Sequence, residues 1–124
     1  AAIQLAHAAG LEVFVTSRDA DKRSKALKLG ANAALEIGAR LPRKVDAVIE
    51  SVGAATWRHS MKSVRPGGTI ACVHALWHDQ VADPARRDAR TVVAREVVNY
   101  LRDSDEFVPT LLPVGDGLAV AVKR

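Results

Sequence analysis

Ser17, Arg18 and Lys22 carry the types and spacing needed to hold an anion. They fall in "VFVTSRDADKR", Val13 to Arg23, where an apolar run stops at a hydroxyl and a guanidinium, with an ammonium four residues beyond Arg18. A guanidinium makes paired, charge-assisted contacts with phosphate, and a hydroxyl can donate beside it. Asp19 would repel an anion there, and its expected work is to cap the helix that follows. Further on, Glu50 closes a second apolar run, and Gly53 supplies a tight turn with no side-chain bulk. His74 and His78 stand four apart, a spacing that lets two imidazoles share a metal on a helix. They follow an apolar run rather than lie on a helix, and Asp79 is the only acid nearby, so no metal site is assigned; no residue of the chain is assigned as catalytic. Cys72, inside that run, reads as an inert buried thiol. Arg86, Arg87, Arg90 and Arg95 read as a solvated helix face.

The elements that must position these residues alternate. "AAIQLAHAAG" has helical spacing and a glycine stop. "LEVFVTS" is short and β-branched, hence a strand. The spacing predicts a helix after Asp19 that ends at Gly30, then a weak strand in "AALEI" and a strong one over Val45 to Ser51. Trp57, Met61 and Val64 are spaced for a helix that supplies core, "RPGG" reads as a turn, and "TIACVHA" is another buried strand. Beyond Ala75 the reading is a basic helix from Asp83, a strand in "EVVNYL", a helix starting at Asp103 or Ser104, and a terminal strand. Strands that are apolar throughout and alternate with helices indicate a parallel sheet covered on both faces. Right-handed crossovers then make it a doubly wound, mostly parallel α/β sheet.

With 124 residues the chain is long enough for one domain. Aromatic residues make up only 4%, so the core must come from Ala, Val, Leu and Ile. A net charge of +4, spread along the chain, suits an anionic ligand and does not indicate a nucleic-acid partner. The single cysteine excludes an internal disulfide and any multi-cysteine zinc site, and points to the cytoplasm. No apolar run reaches the ~18–20 residues that span a bilayer.

The ordered string "LGA", "DAVIESVG" and "RPGG", within Ala1 to about Ala75, resembles the nucleotide-binding domain of the medium-chain dehydrogenase/reductase superfamily. The likeness is to its alcohol-dehydrogenase-like and quinone-oxidoreductase-like members, and it extends loosely to about Leu112. The resemblance implies a Rossmann-like, partial dinucleotide-binding domain over residues 1–112, with 113–124 as a tail. It implies hydride transfer between a nicotinamide and a carbonyl, quinone or enoyl substrate. Cofactor contacts would be Ser17, Arg18 and Lys22 at a ribose 2′-phosphate, Val52 and Gly53 at a ribose, and Val73, His74 and Ala75 at the nicotinamide. An arginine at the second strand's end accommodates a 2′-phosphate, so NADP(H) is favoured over NAD(H), without zinc.

The family's first strand and Gly-rich turn would precede Ala1, as would its catalytic domain. The chain is therefore expected to be a partial reductase, inactive alone, whose sheet lacks its first strand. Homo-oligomer formation or a partner chain could fill that slot. Two alternatives stand beside this reading. One is a non-catalytic module that pairs through its sheet. The other is a methyltransferase fragment, which would share the "RPGG" turn and the acidic strand end at Glu50.

Overall fold

A computed structural model describes residues 1–124, which divide into two compact units, Ala1–Pro42 and Arg43–Arg124. The first unit runs α1 (Ala2–Ala8), β1 (Phe14–Thr16), α2 (Ala20–Lys28) and β2 (Ala33–Leu35). β1 and β2 pair in parallel, Phe14 against Ala33 through Thr16 against Leu35. Asp19 caps α2, its carboxylate accepting the amide hydrogens of Asp21 (2.8 Å) and Lys22 (3.2 Å). Only Ala26 and Ala31 are buried hydrophobics in this unit, while Leu5, Leu11 and Leu27 stand exposed.

The second unit contains β3 (Val45–Glu50), α3 (Trp57–Ser63), β4 (Val64–Val73), a single 3-10 turn (Gln80–Ala82), α4 (Ala89–Asp103), β5 (Phe107–Leu112) and β6 (Leu118–Lys123). Its sheet has the order β3-β4-β6-β5. β3 and β4 are parallel, and β6 runs antiparallel between β4 and β5. The α/β, Rossmann-like class expected from the alternation holds. The antiparallel strand inserted before the edge departs from the open parallel order 3-2-1-4-5-6. β1 and β3 belong to different sheets and do not pair with each other.

Three local expectations are corrected. "EVVNYL" lies in α4, not in a strand. Its β-branched residues resemble a strand over six positions, but Asp88 caps a fifteen-residue helix whose Thr91, Val97 and Leu101 are buried. The segment after Ser104 forms β5 rather than a helix. Pro109 fits there because β5 is an edge strand and can spare an amide hydrogen. "RPGG" lies within β4 rather than between elements. Val45 pairs with Val64 but Ala47 with Thr69, so these residues bulge out of the ladder. Gly68 is required at this bulge, because a Cβ there would lie 2.8 Å from the Asp46 carbonyl oxygen.

The core lies between the sheet and its helices. Trp57, Met61, Val64, Ile70, Cys72, Val97, Leu101 and Phe107 form one cluster, closed by Ala75, Ala119 and Ala121. Tyr100 packs edge-on against both Trp57 and Phe107, joining α3, α4 and β5. No helix is long and apolar enough to cross a membrane.

Candidate functional site

In sheets of this kind ligands bind beyond the carboxyl ends of the strands. The second unit has a cavity of about 300 Å³ there, between the ends of β3 and β4 and the flank of α4. Glu50 and the loop after it form one wall. Cys72 to Ala75 and Trp77 form another, and Arg90, Val93, Ala94, Val97 and Val98 of α4 close it.

Glu50 organises the first wall. It is only 5% exposed, and both of its carboxylate oxygens accept hydrogen bonds. Oε1 accepts the amide hydrogens of Val52 (2.8 Å) and Gly53 (3.0 Å) and the Thr56 hydroxyl (2.7 Å), while Oε2 accepts the Ser60 hydroxyl. A buried carboxylate is tolerated only when satisfied in this way. Gly53 turns the chain at φ +80°, a conformation that side chains disfavour. Cys72 sits opposite Glu50 in the ladder. Burial, helped by the Glu50 charge, pushes its thiol up to about 12. It is a neutral packing group at physiological pH.

The second wall is strained. His74, Trp77, His78 and Asp79 all have positive φ, between 47° and 61°. Left-handed conformations in non-glycine residues cost on the order of 1–3 kcal/mol each and persist where surrounding contacts enforce them. Those contacts come from the turn before β6. Asp116 Oδ1 accepts the His78 amide hydrogen at 2.5 Å, and Oδ2 lies 3.1 Å from His74 Nδ1. The amides of Ala75 and Leu76 donate to the carbonyls of Gly117 and Asp116, each at 3.0 Å. The His78 amide, then the His74 side chain, hold the Asp116 carboxyl below its usual range against partial burial. Arg95 fixes the next stretch, donating to the carbonyls of Val81 (3.0 Å) and Asp83 (2.9 Å). Arg95 is thus a loop clamp rather than a solvated face.

The sequence-derived candidates separate. Val52, Gly53, Val73, His74 and Ala75 line the cavity together. Ser17, Arg18 and Lys22 lie in the first unit and do not line it. Arg18 and Lys22 are exposed, and the Ser17 hydroxyl accepts the Asp19 amide hydrogen at 3.2 Å. The strand end is tied instead by Arg23, which donates to the Ser17 carbonyl at 2.7 Å and pairs with Glu36. Two residues that shape the site had no such role in the sequence reading: Asp116, which it did not single out, and Arg95, which it read as a solvated helix face. "GDG" before a terminal strand was the only signal for Asp116, and it reads as an ordinary turn.

Known proteins of similar sequence and shape give a mixed picture. A putative O-methyltransferase of Mycobacterium avium (strain 104) is 36% identical over 63 residues, 51% of this chain and 28% of that protein. Among solved structures, cofactor-bound Rv0187 from MTB superposes with a TM-score of 0.79 at 19% identity, over 99% of this chain and 67% of that one. An O-methyltransferase from Bacillus cereus in complex with SAH superposes with a TM-score of 0.74 at 16% identity, over 93% and 64%. The chain thus spans about a quarter of the curated relative and some two thirds of the solved ones.

These likenesses overturn two expectations. The alcohol- and quinone-oxidoreductase activity gives way, because the relatives and structural neighbours are O-methyltransferases. NADP(H) gives way as well, because the neighbours hold SAM or SAH. The physical reason lies at the end of β1. There Asp19 already takes the free amide hydrogens that open α2 and leaves its own negative charge where a 2′-phosphate would sit. Zinc does not fit either. No three His, Cys, Asp or Glu side chains gather to ligate a metal, and the only thiol is buried and neutral. What the sequence retains is the pattern of a nucleotide-binding sheet, and a fold of that kind does not dictate the chemistry performed on it. A family model described as "Zinc-binding dehydrogenase" matches residues 1–112, and by that match the chain belongs to the zinc-binding dehydrogenase family.

Proposed function

We propose that the second unit is the acceptor-side portion of a SAM-dependent O-methyltransferase, acting on a small hydroxylated molecule. The observation that carries this reading is the cavity at the carboxyl ends of β3 and β4, in a sheet whose antiparallel β6 departs from the dinucleotide-binding order. The superposition on solved O-methyltransferases from Klebsiella pneumoniae (putative) and Bacillus cereus, over 94% and 93% of the chain, supports it.

The lining fits both ligands in kind. Val73, Val93, Val97 and Val98 offer an apolar wall to a methyl thioether or an aromatic ring, and Arg90 at the rim offers a guanidinium to a carboxylate. Trp77 adds an aromatic face, with the Arg90 guanidinium 5.8 Å from its ring centre. When bound, SAM supplies a methyl group made electrophilic by the sulfonium. Glu50 ties the Val52–Gly53 turn, which fixes that wall of the cavity.

Calorimetric titration with SAM and SAH tests the reading. Saturable binding of SAH is expected, and Ala94→Trp, which fills the cavity from α4, should abolish it. No heat with either ligand, or SAH affinity unchanged by Ala94→Trp, sinks this assignment.

A further inference from the structure

We propose that His74 and Asp116 form a proton-accepting dyad for a hydroxyl group bound in the cavity. The inference rests on the methyl-transfer reading for its chemistry, but its geometry is independent of it. His74 lines the cavity and its side chain is 56% exposed, so the imidazole is accessible to a ligand. Asp116 is the more enclosed partner, at 18% exposure, and Oδ2 meets His74 Nδ1 at 3.1 Å.

The tautomer follows from the partner. An ionised carboxylate can only accept, so Nδ1 must carry the proton of the neutral ring. Asp116 stays ionised because the His78 amide and the His74 ring both favour its charged form. Nε2 is then left with a bare lone pair, and no hydrogen bond within the chain engages it. This is the arrangement in which a carboxylate orients an imidazole and stabilises the imidazolium that forms when it accepts a proton. The backbone has been bent to allow it. His74 sits at φ +57°, within a loop that is held in left-handed geometry by contacts to Asp116 and Gly117.

In the reaction the acceptor's O–H bond breaks and its proton passes to His74 Nε2. With SAM bound, the oxygen's electron pair would form the new bond to the methyl carbon as the carbon–sulfur bond broke, its electrons remaining on sulfur to give SAH. The proton later leaves Nε2 for water. The other charged or titratable groups lining the cavity are Arg90 on α4, Glu50 at the end of β3 and the neutral Cys72 of β4, and His78 and Asp79 follow His74 on its own loop. Glu50 is fully engaged by its own turn, whereas Arg90 could stabilise an oxyanion by charge alone.

The test uses the full chain and 4-nitrophenol, whose ionised form absorbs visible light. At a pH one unit below the point at which the free phenol is half ionised, adding protein should produce a phenolate band beyond that of the free phenol. His74→Gln should remove it and Asp116→Asn should weaken it several-fold, while Arg90→Gln, which removes the cavity's guanidinium, shows how much of the band that charge supplies by itself. Absence of the band with the wild-type chain overturns the dyad, whether the phenol stays neutral or fails to bind. So does a band that survives His74→Gln or depends only on Arg90. Parallel titration with SAH separates the two ideas. SAH binding without a phenolate band removes the dyad alone, and a His74-dependent band without SAH binding removes the methyl-donor reading alone.

Discussion

Glu50 Oε1 accepts the Thr56 hydroxyl at 2.7 Å from a position only 5% exposed, so the end of β3 is fastened to the start of α3 by a buried carboxylate. The same oxygen takes two amide hydrogens of the intervening turn. Removing the whole carboxylate, whose other oxygen accepts the Ser60 hydroxyl, strands four donors at once. Glu50→Ala should destabilise the chain by roughly 2–4 kcal/mol, since each unsatisfied buried polar group costs about 1–3 kcal/mol and the losses overlap. Urea unfolding followed by circular dichroism measures this. Glu50→Gln, which keeps one acceptor oxygen, should lose clearly less.

Cys72 provides a chemical check on the core. Its thiol, raised to about 12, stays neutral in the folded chain, so a thiolate-directed reagent at pH 8 should label it only after unfolding. The sign of the linkage is equally definite. The folded pKa lies above the unfolded value near 8.5, so this group's stabilisation is complete below about pH 8.5 and falls as pH rises toward 12. Cys72→Ser would bury a hydroxyl without an assigned partner and should flatten that alkaline loss while lowering stability overall.

Asp116 and Asp88 predict the behaviour in acid. Both carboxyls are held below their usual range, Asp116 first by the His78 amide and Asp88 first by the Thr91 hydroxyl. A depressed folded pKa contributes stability above the unfolded value near 3.9, and that contribution is lost as pH falls through the folded value. Stability should therefore drop below about pH 4. Asp88→Asn and Asp116→Asn should each make the drop shallower, in pH-dependent thermal melts.

Gly117 tests the strained wall. It sits at φ +81°, and a Cβ there would lie 2.5 Å from Leu76 Cγ and 2.8 Å from the Leu76 amide nitrogen. Gly117→Ala should cost about 1–3 kcal/mol through backbone strain, with the clash adding to it. It should also release the loop of His74 to Asp79, seen as faster hydrogen exchange at the His78 amide.

Ile70 anchors the middle of β4 and is fully buried among Val64, Phe107 and their neighbours. Ile70→Ala should destabilise by about 2–5 kcal/mol through lost burial and the cavity left behind. Denaturant melts give the value directly.

The sequence alone determined the local grammar of this chain. Apolar runs bounded by glycine and by capping aspartates marked α2 and β3 within a residue or two and located β1 and the second half of β4, because those signals act over a few positions. It also brought Val52, Gly53, Val73, His74 and Ala75 to notice, since strand ends are where such sheets bind ligands. Past Ala75 local signals competed. "EVVNYL" scans as a strand over six residues and becomes helix only because Val97 and Leu101 pack into the core. Only the tertiary structure decided where β6 goes. Its antiparallel placement between β4 and β5 is a long-range pairing that no short window encodes, and it carries Asp116 to His74 from 42 residues away. The cofactor reading failed for a related reason. Arg18 and Lys22 were judged by type and spacing, whereas whether an anion site exists depends on which groups already occupy the amides nearby. At the start of α2, Asp19 occupies them.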